Sequence, residues 1–260
     1  MKTAIVTGAS SGIGLSIAEK LKNMGYTVYG LCRRSVPVDG IKHISTDVTN
    51  DVSINNAIEK IVSESGKIDL LITCAGMGVS GAVEFISDDD MRKQFDVNLF
   101  GTVKTVKAAI PYMRKEKSGR IICISSVAGV YSIPFQAYYS MSKAAINSFV
   151  DALSNELRQF NISICAVMPG DIKTGFTSSR KKTELGNEEY NGVILKSVSK
   201  MEKDEMNGMN PSAVSDLVIK LSEKKHISQL YTVGVSYKLL VFLSRILPHR
   251  MIVWILGKMY

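Results

Sequence analysis

Four cysteines are spread through 260 residues with no CxxC spacing, so neither a metal knuckle nor a disulfide frame can be read from them. Cys32, Cys74, Cys123 and Cys165 each lie in an apolar run that reads as a strand, which points to buried thiols in a reducing compartment. No secretory-type hydrophobic leader precedes Gly8, and the expected location is cytoplasmic. The chain also lacks the roughly 20 uninterrupted apolar residues that a membrane-spanning helix needs. No basic stripe is interleaved with aromatics and no zinc-finger or RNP-like pattern is present, so nucleic acid is not an expected partner despite a net charge of +8. Repeats, low-complexity tracts and evident linkers are missing too, which leaves one ordinary domain.

What the sequence does have is alternation. With 45% hydrophobic and 22% charged residues it can bury a substantial core without cross-links. Strand-like runs at 2–7, 27–32, 41–45, 68–73, 120–125, 162–168 and 229–233 alternate with helical patterns at 15–24, 52–62, from 87 towards 113, 136–160 and 211–221. This predicts an α/β fold, a Rossmann-like doubly wound parallel sheet of about seven strands with helices on both faces. Residues 1–235 form the expected core domain, with a long Met-containing segment at 171–209 read as a lid. Residues 236–260 form an apolar tail that holds Lys238, Arg245, Arg250 and Lys258 and no Asp or Glu, half of the net charge. There Leu239, Phe242, Leu243, Ile246 and Leu247 share a helical face, and Pro248 interrupts. Two readings fit: packing on a substrate pocket or an oligomer partner, which is favoured, and a basic interfacial membrane helix.

Several short patterns carry chemistry. Gly8-Ala9-Ser10-Ser11-Gly12-Ile13-Gly14 sits between the first strand and helix, where backbone N–H groups and the helix dipole can cradle a diphosphate. No Lys-Ser/Thr follows, which disfavours a nucleotide-hydrolysing P-loop. The second strand ends in Arg33-Arg34, where a fold that binds NAD carries an acidic residue for the ribose 2′-hydroxyl. Two cations suit a 2′-phosphate instead, and the alternative is a plain surface pair. After the third strand, Asp47-Val48 offers an acceptor for an adenine amino group or else a helix cap. Cys74-Ala75-Gly76 ends the fourth strand with residues small enough for a ring or a second backbone to lie close. Ser87 with Asp90 resembles a capping box, and Asp88 and Asp89 suit a first helical turn, so this acidic run needs no metal. Asn98, among Val97, Leu99 and Phe100, is either a satisfied core amide or a placed functional one.

The stretch from Ser125 to Lys143 is the centre of interest. On a helix Tyr139 and Lys143 stand one turn apart on one face, and Ser126 ends the fifth strand. A cation beside a phenol favours its anion, so the pair can serve as an acid/base at neutral pH, while a surface Tyr and Lys are the plain alternative. Ligands of open parallel sheets bind beyond the carboxyl ends of the strands, the side on which Ser126 lies.

Taken together, Thr7-Gly8-x-x-x-Gly12-Ile13-Gly14, Asp47-Val48, Ala75-Gly76, Asn98, Ser126, Tyr139-x-x-x-Lys143 and Pro169-Gly170-x-x-x-Thr174 follow one another as in the short-chain dehydrogenase/reductases. The resemblance runs from residue 2 to about 235 and includes the family's Ser-to-Tyr separation of thirteen. Tyr138 and Ser125 fail that spacing. The resemblance implies Tyr139 as general acid/base, Lys143 as the group that lowers its pKa and bonds the nicotinamide ribose, Ser126 as the hydroxyl that holds the substrate carbonyl, and Asn98 as the amide that positions a relay water. It implies cofactor contacts at Gly8, Ser10, Ser11, Gly12, Ile13, Arg33, Arg34, Asp47, Val48, Cys74, Ala75, Gly76, Pro169, Gly170, Ile172 and Thr174, besides Tyr139 and Lys143. One departure stands out: the family's Asn-Asn-Ala-Gly is Thr73-Cys74-Ala75-Gly76 here, which puts sheet-bracing hydrogen bonds in question.

The implied activity is an NADP(H)-dependent interconversion of a secondary alcohol and a ketone. The pattern is similar to hydroxysteroid dehydrogenases and other lipid-acting members, so a small lipophilic substrate is expected. A 3-oxoacyl thioester reductase is the enzyme alternative, and a non-catalytic NADP-binding sensor is the rival from another class. The family also implies a homodimer or homotetramer packed through the long helices near Asn98 and Tyr139.

Overall fold

β-Branched and aliphatic runs too short for helices form seven parallel strands. In the computed structural model, which describes residues 1–34 and 38–259, these are β1 (Thr3–Thr7), β2 (Thr27–Cys32), β3 (Ile41–Ser45), β4 (Leu70–Thr73), β6 (Gly119–Ile124), β7 (Ile162–Met168) and β9 (Leu230–Thr232). Their order is β3-β2-β1-β4-β6-β7-β9. β1 lies inside the sheet next to the central β4, with Val6 between Gly30 and Ile72. Two further strands, β5 (Val79–Ser80) and β8 (Lys181–Lys182), make a separate parallel pair. This is the expected Rossmann-like α/β fold.

The strands alternate their side chains between two helical layers. Ile5, Tyr29, Leu71, Ile121 and Ile164 meet α2 (Asp51–Ser65), α4 (Gly101–Lys115) and α5 (Ala137–Leu157) on one face. Val6, Val28, Ile72, Ile122 and Val167 meet α1 (Gly12–Asn23) and α8 (Pro211–Glu223) on the other. Cys32, Cys123 and Cys165 are buried free thiols, while Cys74 lies one residue past β4 and is half-buried.

Three stretches take forms that the sequence did not specify. The helix from 87 towards 113 is interrupted: α3 (Asp88–Phe95) passes through a π-helical turn at Asp96–Phe100 before α4 begins. The 171–209 segment folds into α6 (Phe176–Ser179), β8 and α7 (Val193–Met206). Its Ile194, Val198 and Met201 are buried with Ala82. The tail forms α9 (Val235–Leu243) and α10 (His249–Met259), broken at Pro248, and its expected apolar face is only partly buried, through Leu243 and Leu247. Val241 and Ile252 turn inward onto Tyr131, while Leu239, Phe242 and Ile246 face outward. Tyr260 lies outside the described residues.

Candidate active site

The carboxyl ends of β1, β2, β3, β4, β6 and β7 bring the expected residues to one edge of the sheet. Ser126 follows β6, and Tyr139 and Lys143 come from the first turns of α5. Ser126 Oγ accepts the Ala128 N–H at 3.1 Å and donates to the Pro169 carbonyl at 3.5 Å, and Ser126 pulls the Tyr139 phenol towards ionisation. Lys143 is buried, its Nζ 5.7 Å from the Tyr139 ring centroid and donating to the Ile124 carbonyl at 2.9 Å. Ser125 is spent on structure, because its hydroxyl donates to the Lys143 carbonyl at 3.1 Å.

Burial dominates the electrostatics of the pair. Burial pushes the Tyr139 phenol up to about 12, against the downward pull of Ser126. Burial likewise pulls Lys143 down to about 8. Burial moves both groups towards their neutral forms, so the phenol is a neutral proton donor in this state. A carbonyl oxygen placed between Ser126 and Tyr139 would meet two hydroxyl donors, which suits the stabilisation of developing negative charge.

Asn98 is fully buried in the π-helical turn, a feature that often marks functional positions. Its Oδ1 accepts the Met77 N–H at 2.8 Å and its Nδ2 donates to the Met77 carbonyl at 2.9 Å and to Ser142 Oγ at 3.3 Å. The Asn98 amide thus clamps the loop after β4. Ser142 in turn donates to the Tyr139 carbonyl at 2.7 Å, which ties that clamp to the base of the Tyr139 turn.

The residues expected to hold a dinucleotide lie in the turns that follow β1, β2, β3, β4 and β7. Gly8, at φ +69°, has backbone that a Cβ would bring within 2.9 Å of Ala75, so the turn after β1 and the loop after β4 touch only because Gly8 lacks a side chain. Ser11 precedes α1 without capping it through its side chain, which leaves first-turn N–H groups open to an anion. The bracing questioned by the missing Asn pair comes from Thr7, whose Oγ1 accepts the N–H groups of Cys74 and Ala75 at 3.0 and 3.1 Å. Arg33 and Arg34 are exposed beyond β2. Asp47 accepts the Thr49 N–H and hydroxyl at 2.9 and 2.8 Å, which with Arg33 hold its carboxyl low. It does not cap α2, since Asn50 does so through Ser53 at 3.0 Å. Val48 packs beside Gly101, and Thr174 borders Gly12. Pro169 accepts the Val127 N–H at 3.0 Å, and Ile172 bridges to Met209. These shapes fit a dinucleotide laid along the sheet edge.

Sequence reasoning missed a second polar group beside Tyr139. Arg180 is buried and paired with Glu205, whose Oε2 also accepts from Thr177 at 2.6 Å. Phe176 lies between them and the phenol, its ring centroid 5.5 Å from the Arg180 guanidinium carbon and 5.8 Å from the Tyr139 centroid. Glu205 raises the phenol and Arg180 lowers it. Nearby, Asp171 accepts from the Tyr237 hydroxyl at 2.5 Å, and burial raises its carboxyl. Nothing in the local pattern marks these residues, because they meet through long-range packing. A separate cleft of about 600 Å³, lined by Lys2, Arg120 and Arg158 among others, opens at the amino ends of the strands and holds none of the Ser126, Tyr139 and Lys143 chemistry. Among the described residues no cluster of three His, Cys, Asp or Glu could hold a metal ion.

The family model described as short chain dehydrogenase matches residues 2–185. The chain is 42% identical over 225 residues to the 3-ketodihydrosphingosine reductase of Bacteroides thetaiotaomicron, covering 85% of this chain and 84% of the relative. A short-chain dehydrogenase from Streptomyces avermitilis shares the fold with a TM-score of 0.83 at 26% identity, over 94% of this chain and 93% of that one. An actinorhodin polyketide ketoreductase solved with NADPH reaches a TM-score of 0.76 at 26% identity, over 91% and 97%. A family member from Burkholderia phymatum solved with NAD reaches 0.80 at 22% identity, over 93% and 92%, a likeness of fold alone.

Proposed function

The chain belongs to the short-chain dehydrogenase/reductase family, oxidoreductases that act on CH–OH groups, and from that premise we propose that it reduces the ketone of a long-chain lipid with NADPH in the cytoplasm. The observation that carries the chemistry is the gathering of Ser126, Tyr139 and the buried Lys143 at the carboxyl end of β6, Lys143 Nζ lying 5.7 Å from the Tyr139 ring centroid. When bound, the dinucleotide supplies the hydride. Ser126 and Tyr139 hold the carbonyl oxygen, and Tyr139 gives it a proton as the alcohol forms. Lys143 would hydrogen-bond the cofactor ribose, and its ammonium would supply the proton that restores the Tyr139 phenol.

Arg33 and Arg34 support NADPH over NADH, since two exposed cations follow β2 where a fold that binds NAD carries an acidic residue, and they suit a 2′-phosphate. Likeness to a 3-ketodihydrosphingosine reductase supports a 3-keto long-chain base over a steroid. Initial rates on 3-ketodihydrosphingosine, a steroid ketone and a 3-oxoacyl thioester, each with NADPH and NADH, test the reading. The long-chain ketone with NADPH is expected to give the highest kcat/KM, and Tyr139→Phe to lose about 10²-fold or more. A thioester preference would move the assignment to the acyl reductases. Full turnover by Tyr139→Phe would end the mechanism.

A further inference from the structure

The tail settles with only one side on the protein. Val241 and Ile252 pack on Tyr131, the Tyr131 hydroxyl donates to the Leu240 carbonyl, and Tyr237 covers Gly170 and reaches Asp171. The tail is thus moored to the loops that follow β6 and β7, beside Tyr139. Its other side holds Leu239, Phe242, Ile246, Val253 and Trp254, all more than half exposed, with Trp254 at 64%. Lys238, Arg245, Arg250 and Lys258 stand among them, exposed as well. Lys258 Nζ lies 5.4 Å over the Trp254 ring. So many exposed large apolar side chains in 25 residues are unusual for a surface that meets only water.

Three occupants would cover such a face. A second copy of the chain would set the patch against itself across a two-fold axis, bringing Lys238, Arg245, Arg250 and Lys258 towards their own counterparts with no carboxylate in 236–259 to offset them. A protein partner would need an acidic apolar surface to match. A membrane surface with anionic lipid meets both demands at once: its headgroups take the cations, its acyl boundary takes the aliphatic side chains, and indole with a nearby ammonium suits the interface. No described helix is long and apolar enough to cross a membrane, so the contact lies in the plane of the surface.

We infer that α9 and α10 dock the enzyme on an anionic bilayer, with the loops around the active site held against that surface. The inference rests on exposure and charge and does not depend on the substrate proposed above.

The test is flotation of the full chain with phosphatidylglycerol vesicles and with phosphatidylcholine vesicles. Wild type is expected to bind the anionic vesicles at least about tenfold tighter, and to be released by raised salt. Phe242→Ser/Trp254→Ser and, separately, Lys238→Glu/Arg245→Glu are expected to stay in the lipid-free fraction while keeping turnover of a short water-soluble ketone, which shows that they fold. Failure of wild type to float on either vesicle overturns the inference. So does equal flotation of wild type and both variants, or a drop in oligomeric state of the Phe242→Ser/Trp254→Ser protein in lipid-free buffer, which would make the face a subunit contact. Inactivity of wild type on every ketone, with binding intact, would instead refute only the proposed function.

Discussion

Lys143 shows how far the site departs from what stability alone would select. Its ammonium is buried with the Ile124 carbonyl as its hydrogen-bond partner and no carboxylate ion pair, and burial lowers it to about 8. A lysine whose folded pKa lies below its unfolded value is destabilising while it stays charged. The cost is therefore full below about pH 8 and fades as pH rises towards the ordinary lysine value of 10.5. Lys143→Met is predicted to raise stability by about 1–3 kcal/mol at pH 7, with the gain shrinking towards pH 10, measured by denaturant unfolding across pH. The same variant is predicted to lose most activity. In the wild type, kcat/KM for reduction reports the free enzyme and should be flat below about pH 8 and fall above it as Lys143 loses its proton. Tyr139, near 12, remains a donor throughout that window. A reduction profile with no fall above pH 8 would contradict this assignment.

At the scale of elements, the strand-helix alternation was legible because each run of apolar residues matched one period. The glycine turn, Asn98, Ser126, Tyr139 and Lys143 were legible because their spacing along the chain survives folding. The fates of the tail and of 171–209 were not legible. Leu239 and Val241 are both apolar, and only the position of Tyr131 decides that Val241 turns in. The π-helical turn at Asn98 was hidden for the same reason, since the Met77 backbone that holds its amide lies 21 residues away. Arg180 and Glu205 read as two ordinary charges until α6 and α7 bring them together beside Phe176. One such long-range contact is testable. A Cβ at Gly170 would overlap the Tyr237 ring, so Gly170→Ala is predicted to cost about 1–3 kcal/mol and to loosen α9. Adding Tyr237→Ala removes the clash, and the double variant should be less destabilised than the sum of the two singles. Strict additivity in thermal or denaturant unfolding would show that Tyr237 does not press on Gly170.

For the whole molecule, the distribution of exposed apolar surface separates two uses. One patch is the tail, rich in cations. Another lies by α4 and α5, where Phe100 beside α4 and Met141 on α5 are about half exposed. These helices carry Lys107 and Arg114 but also Asp151 and Glu156 on their surfaces, so a two-fold contact there can set opposite charges against each other. The tail offers no such compensation. Self-association is accordingly predicted through α4 and α5, as a dimer or tetramer, with the tail left free in every copy. Light scattering on a sizing column provides the measurement. Phe100→Asp/Met141→Asp is expected to shift the chain to monomer at a concentration where wild type and Phe242→Ser/Trp254→Ser remain associated. If the α4 and α5 variant kept its mass while the tail variant fell apart, the assignments of the two surfaces would have to be exchanged. The net charge of +8 would then need another sink than a lipid surface.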